Sequence, residues 1–315
     1  MSEPKGSAPH SRRCSEESWR FKAFDEYRAL MFAIAYRMLG SVTDAEDILQ
    51  DAFLRWCQAG DVEVHSPRAF LVTVVSRLCI NQLQSARVKR EEYIGQWLPE
   101  PIVTDGPGDP SRIVATADSL SMAFLLLLER LTPVERAVFL LREAFEYEYS
   151  HIAEVVGQTE VSCRQVLRRA RQHLRADRPR FETSSQAREI LLSRFLEATS
   201  TGNLEQLVSL LQADAVLYAD GGGKGIAIPN RLQGADRIAR GILGGLDKLV
   251  PHDLARRIVH VNGGPGVASY RHGRPFAVLT LHCVGEKIQA IYIVTNPDKL
   301  AAMPKLAETQ FRTPD

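Results

Sequence analysis

The stretch LTPVERAVFLLREAFEYEYSHIAEVVGQTEVSCRQVLRRARQHL, residues 131–174, decides how this chain is read. Thr132, Pro133 and Glu135 supply an N-cap, a first-turn proline and a capping-box partner for a helix over 134–144. A short helix over 150–156 is stopped by Gly157, and Thr159 caps a longer one that runs to Arg175. Two helices joined by a tight glycine turn form a helix-turn-helix. In the second, Cys163, Val166, Leu167, Ala170 and Leu174 recur at helical spacing as a buried stripe, while Arg164, Arg168, Arg171 and Arg175 line the opposite side. Residues 159–180 hold seven Arg against Glu160 and Asp177, a local balance of 7 − 2 = +5. A helix of this kind, roughly 25 Å long, fits the major groove of duplex DNA, with its first side chains at base edges and its arginines on phosphates.

Across all 315 residues, 39 Lys and Arg stand against 38 Asp and Glu, so the basic helix is a local asymmetry in a nearly neutral chain. With 45% hydrophobic and 24% charged residues, the composition is that of a folded protein of two or three domains rather than a disordered one. The longest apolar run, Met122 to Leu128, is too short to span a bilayer. Arg12 and Arg13 are followed by Glu16, Glu17 and Ser18 rather than by an apolar segment, which argues against a secretory signal. A cytoplasmic protein with no membrane partner is expected. Cys14, Cys57, Cys79, Cys163 and Cys283 are scattered without a C-x-x-C pair, and neither His151 nor His173 has a Cys or His at metal-ligand spacing. No glycine-rich dinucleotide or phosphate loop opens a helix. Neither metal nor cofactor is expected.

Upstream, residues 1–18 read as a mobile tail. Phe24, Tyr27, Met31, Ile34 and Met38 define a helix that Gly40 ends. Thr43 and Glu46 then have capping-box spacing, and Ala45, Ile48, Leu49, Ala52, Phe53 and Trp56 continue at helical intervals, which leaves Asp44, Glu46, Asp47 and Asp51 towards another side. A third helix opens at Ser66 and Pro67, runs towards Leu83 and ends basic, with Arg87, Lys89 and Arg90. The prolines and glycines of 93–112 make a linker, yet Tyr93, Ile94, Trp97 and Leu98 are costly to leave in water, so this linker is expected to dock. From about residue 183 the texture becomes mixed: helices over 184–199, 203–211 and 234–246, and extended segments at 215–219, 255–262, 265–271, 275–284 and 287–295. Consecutive strands with short connections predict an antiparallel sheet in an α+β domain.

The strings SVTDAEDILQDAFLRW (41–56), the basic third helix and the 131–174 stretch resemble regions two and four of a bacterial sigma factor, in the compact layout of the extracytoplasmic-function (ECF) group. YIGQWLPEP (93–101), DGGGK (220–224) and NPDKL (296–300) are similar to the sigma-J type, ECF factors with a C-terminal SnoaL-like domain. The resemblance implies a multidomain fold: two all-α sigma domains at 19–92 and 115–181 around a linker at 93–114, then a cone-shaped α+β SnoaL-like domain at 182–300 and a tail at 301–315.

It also implies roles. Asp44, Glu46, Asp47, Gln50, Asp51 and Phe53 fall where the family docks on the clamp helices of the largest subunit of core RNA polymerase. An acidic face suits a basic protein partner and not DNA. Arg77, Asn81, Arg87, Lys89 and Arg90 fall at positions that open and read the minus-10 promoter element, although many ECF factors carry Asp where Asn81 stands. Arg164, Gln165 and Arg168 match minus-35 base-reading positions, with Arg169, Arg171 and Arg175 nearer phosphates. The linker residues Tyr93, Trp97, Leu98 and Pro99 are expected to meet Asp220, Gly221, Gly222, Gly223, Lys224, Asn296, Pro297, Asp298 and Lys299, so that the C-terminal domain controls transcription in cis.

On this reading the chain is a promoter-recognising subunit that catalyses nothing itself, with core polymerase and promoter DNA as partners. The alternative from another class is a helix-turn-helix regulator whose C-terminal domain senses an unknown small ligand or acts as a cyclase- or isomerase-like enzyme, with Asp220, His260, His282 and Tyr292 as acid-base candidates.

Overall fold

The structure, a computed structural model, describes residues 10–59, 66–91, 93–104, 121–175, 183–228, 230–251 and 253–305. Two compact units are formed. Among the described residues, the first draws on 10–39, 43–59, 66–84 and 133–168. It contains α1 (His10–Leu39), most of α2 (Val42–Gln58) and α3 (Pro67–Glu91), then α5 (Pro133–Glu143), α6 (Tyr149–Val156) and the first part of α7 (Glu160–Arg175). The intervening α4 (Met122–Leu128) belongs to the second unit, so packing cuts across sequence order.

Local chemistry accounts for the helix ends. Gly40 takes φ 68° directly after α1. Ser66 Oγ accepts from the Ala69 N–H at 3.3 Å to cap α3. α1 begins at His10, inside the segment expected to be a tail, because nothing after Pro9 breaks a helix until Gly40. Met31, Ile34 and Met38 of α1 and Leu49, Ala52 and Trp56 of α2 are buried as their periodicity predicts, whereas in α3 Leu71, Val75 and Cys79 are fully buried, one position on from the expected Phe70, Val74 and Leu78, of which only Leu78 is buried.

Among the described residues of this unit Arg37 and Arg136 are buried, and burial pulls the pKa of each down to about 10. Arg136 of α5 donates at 2.6 Å to the carbonyl of Met38, one of the last-turn carbonyls that α1 cannot satisfy itself. The guanidinium of Arg37 lies 5.0 Å from the ring centroid of Phe145.

The second unit is built on a seven-stranded sheet, counted among the described residues, in the order β1-β4-β5-β6-β7-β2-β3. Its strands are β1 (Val103–Thr104), β2 (Leu211–Asp220), β3 (Leu232–Gln233), β4 (Leu254–Val261), β5 (Gly264–Arg271), β6 (Arg274–Val284) and β7 (Lys287–Val294). β4 to β7 form the expected antiparallel meander. β2 corrects the expectation of a wholly antiparallel sheet: it pairs with β7 in parallel, with Tyr218 opposite Tyr292. Hairpin logic governs only strands joined by short turns, and residues 221–286 separate these two strands, enough for a crossover. Two residues of the linker are themselves a strand, Val103 and Thr104 pairing with Val261 and His260 of β4.

Each face of the sheet carries a core. On one, α8 (Ser185–Ser200), α9 (Leu204–Leu210) and α10 (Ala235–Leu249) bring Phe195, Leu207 and Ile238 onto Leu217 and Ile291. On the other, Leu98 of the linker, Met122 of α4 and Leu300 of α11 (Pro297–Leu300) lie with Val259, Tyr270, Val278 and Tyr292.

Candidate functional site

α6 and α7 have the geometry of a helix-turn-helix. Gly157 closes α6 in the left-handed conformation at φ 65°, and its N–H bonds to the Ala153 carbonyl. Thr159 Oγ1 then accepts from the Ser162 N–H at 3.2 Å, capping α7. Cys163, Val166, Leu167, Ala170 and Leu174 are buried, whereas Arg164, Gln165, Arg168, Arg169 and Arg171 are exposed. Arg175 ends the helix, its side chain outside the described residues. Arg164 is held by its own surroundings: its Nη2 is 2.9 Å from Glu160 Oε2, and its guanidinium lies 4.7 Å from the Tyr149 ring centroid.

The acidic helix α2 divides its named residues. Asp47, Gln50 and Asp51 are exposed, and with Asp44, Ile48 and Gln82 they line an open depression. Glu46 is engaged inside the unit by Arg28 at 2.5 Å. Phe53 packs edge-on against Phe24, ring centroids 4.9 Å apart. Sequence periodicity did not reveal the Arg28 pairing, because the partner lies on another helix.

Of the residues named for the minus-10 element, Asn81 is exposed on α3. Arg87, Lys89 and Arg90 sit in the last turns of α3, and their side chains lie outside the described residues. Arg77 is occupied: its Nη2 donates at 2.6 Å to the Glu154 carbonyl and its Nε at 3.1 Å to that of Val155, at the C-terminal end of α6.

The linker and the two C-terminal motifs come together on Asp220, whose exposure is 0%. Its Oδ1 accepts from Tyr93 Oη at 2.6 Å and from the Gly222 N–H at 3.0 Å. Its Oδ2 accepts from the Leu98 N–H at 2.8 Å and from Lys299 Nζ at 2.6 Å. Lys299 also donates to the Leu98 carbonyl, and its ammonium lies 4.5 Å from the Trp97 ring centroid and 5.0 Å from that of Tyr93. Asn296 donates through Nδ2 to Tyr93 Oη at 2.8 Å, while its Oδ1 caps α11 on the Asp298 N–H; Pro297 is the first residue of that helix. Burial, with Asp220 alongside, raises the pKa of the Tyr93 phenol. Lys224 pairs with Asp298 at 2.6 Å on the surface.

Glycine is required in this loop. Gly222 and Gly223 have φ 56° and 71°; a Cβ on the first would collide with Asn296, and one on the second would press on Ile94 at 3.2 Å. A Cβ on Gly221 would meet the Gly225 carbonyl oxygen at 2.6 Å.

Sequence reasoning missed three further residues here. Glu100 is buried, and its Oε2 accepts from the Val42 N–H at 2.8 Å and from Ser41 Oγ at 3.2 Å. Gly40 leaves room for Trp97, whose ring would lie 2.8 Å from a Cβ there. Asn262 brackets Ile102, accepting its N–H at 3.0 Å and donating to its carbonyl at 2.9 Å. The WLPEP string was the available signal for Glu100. Ile94 runs against expectation, since it remains 71% exposed while Leu98 and Pro99 are buried and Tyr93 and Trp97 half-buried.

No described hydrogen bond joins Asp220, His260, His282 and Tyr292 into an acid-base group: Asp220 is taken up by the linker, His260 is exposed, and Tyr292 stacks on Tyr218 with centroids 5.5 Å apart. Among the described residues no group of His, Cys, Asp and Glu could hold a metal, and no helix is long and apolar enough to cross a membrane.

The family model for Sigma-70 region 2 matches residues 23–88, and that for Sigma-70, region 4 matches residues 121–174. The ECF RNA polymerase sigma factor SigJ of Mycobacterium tuberculosis is 36% identical over 292 residues, which is 89% of this chain and 93% of that protein. The probable ECF factor SigI of the same organism is 31% identical over 88% of this chain and 93% of its own length. The crystal structure of SigJ aligns with a TM-score of 0.74 at 33% identity, covering 89% of this chain and 98% of that one. With both sigma-70 regions matched and this likeness to SigJ over most of both chains, this chain belongs to the ECF sigma factors, subunits that bind core RNA polymerase and promoter DNA rather than enzymes.

Proposed function

We propose that this sigma factor is controlled in cis by its C-terminal domain, through the grip of Asp220 and Lys299 on the linker. The observation that carries this reading is that a fully buried carboxylate takes a side-chain bond from Tyr93 and a backbone bond from Leu98, both in the segment that joins the two sigma regions. A buried ion pair adds little net stability but is expensive to break singly, so it favours one linker arrangement over others. Control requires two arrangements within a few kcal/mol, the second adopted on polymerase.

In the same reading, the exposed Asp47, Gln50 and Asp51 of α2 meet the clamp helices of the largest polymerase subunit, α3 serves the minus-10 element and α7 the minus-35 element. Arg77 then exchanges the α6 carbonyls for its promoter role, which couples release of α6 to DNA engagement. Run-off transcription with purified core polymerase tests the proposal. Asp220→Asn and Lys299→Met are expected to change promoter-specific output several-fold relative to wild type. Wild-type output from both variants, with the grip lost, would overturn control in cis; core-independent behaviour of the wild type would overturn the assignment of α2.

A further inference from the structure

Val161 occupies the first turn of α7 and is 63% exposed. The buried stripe of that helix begins at Cys163, so Val161 contributes nothing to the core. A β-branched residue is a weak helix former, and solvent gives it no compensating packing. It shares the outward face with Arg164, Gln165 and Arg168, which follow at three, four and seven residues and are all exposed. Among that polar set it is the one apolar side chain.

We infer that Val161 is a specificity-determining residue that reads the C5-methyl group of a thymine in the minus-35 element. This rests on the assignment of α7 as the minus-35 reader. The first turn of a recognition helix approaches base edges, and thymine alone among the four bases presents a methyl in the major groove, where apolar side chains contact it. Three residues of helix rise about 4.5 Å, a little more than one base step of about 3.4 Å. Val161 therefore meets the base next to the one that Arg164 contacts. Arg164 is already steadied by Glu160 and the Tyr149 ring, so the polar and the apolar reader are presented side by side.

Holoenzyme assembled from core polymerase and the full chain is used to select minus-35 sequences from randomised duplexes. Each thymine recovered is then replaced by deoxyuridine, which lacks only the C5-methyl. Wild type is expected to lose about fourfold in affinity at one thymine, the effect of one methyl group leaving an apolar contact. That thymine adjoins the position whose base preference Arg164→Ala relaxes. Val161→Ala should bind the thymine duplex about fourfold more weakly and be indifferent to uracil there, with unchanged response at other positions. Val161→Thr, which keeps the branched shape and one methyl, should fall between them. An undiminished uracil effect in Val161→Ala, or none at any thymine in wild type, overturns the inference. Recovery of no core-dependent motif would instead overturn the assignment of α7 itself, and so is distinguishable from failure of Val161 alone.

Discussion

The ammonium of Lys299 lies 2.6 Å from Oδ2 of Asp220, with the two side chains 12% and 0% exposed. Lys299→Met would leave that carboxylate buried without its counter-charge. The expected loss of stability is about 3–5 kcal/mol, read from urea unfolding. Because Asp220→Asn removes the stranded charge, the double variant should recover part of the loss; strictly additive effects would show that the two groups are not coupled.

Tyr93→Phe removes one hydroxyl that both donates to Asp220 and accepts from Asn296. A loss of about 1.5–3 kcal/mol is expected, smaller than for Lys299→Met. The raised phenol pKa carries a sign: the unfolded chain ionises this tyrosine first, so its contribution is complete below about pH 10 and lost as pH rises above it. Tyr93→Phe should flatten that alkaline decline in an unfolding series.

Arg136→Met tests the joint between α1 and α5. It strands the Met38 carbonyl, which Arg136 satisfies at 2.6 Å, and should lower stability by about 1–3 kcal/mol. Arg136→Lys should restore little of this, since a compact ammonium does not reproduce a planar fork at a buried carbonyl. Stability equal to wild type in both variants would deny the joint any energetic role.

Acid pH provides a test in both units. Burial lowers the pKa of His151, assisted by Arg68 against an opposing Glu154, and lowers that of His282, assisted by Arg188. The unfolded chain therefore takes up protons before the folded one, and stability should fall as pH drops below about 6.5. His282→Gln should reduce that slope; an unchanged slope would place its origin elsewhere.

The starts of α3 and α7 were legible because caps are local, Ser66 and Thr159 each bonding a backbone N–H three residues on, whereas the start of α1 at His10 was not. The buried stripe of α7 and its exposed arginines were legible for the same reason, since 3.6-residue periodicity is written in adjacent turns. The attachments of Arg77 and Arg136 were not, because backbone carbonyls are their partners and any residue supplies one. Pairing of β2 with β7 depends on strands far apart in sequence and leaves no mark in either. Apolarity marked the linker as a docking segment without distinguishing buried Leu98 from exposed Ile94.

Order of synthesis gives the placement of Leu98, β1 and α4 a further meaning. These segments leave the ribosome well before β4, β5 and β7, on which they lie. Until β4 emerges Val103 has no strand to pair with, and until β7 follows the apolar seat of Leu98 and Met122 is incomplete, so the nascent chain carries them as exposed, association-prone surface. A chain cut after residue 182 remains permanently in that condition. A fragment starting at residue 183 has the reverse defect, presenting Tyr270 and Tyr292 without the cover of Leu98 and Met122. The C-terminal domain therefore completes its second core only with Leu98 and Met122, which lie 85 and 61 positions ahead of residue 183, and excising either piece leaves apolar surface uncovered on both.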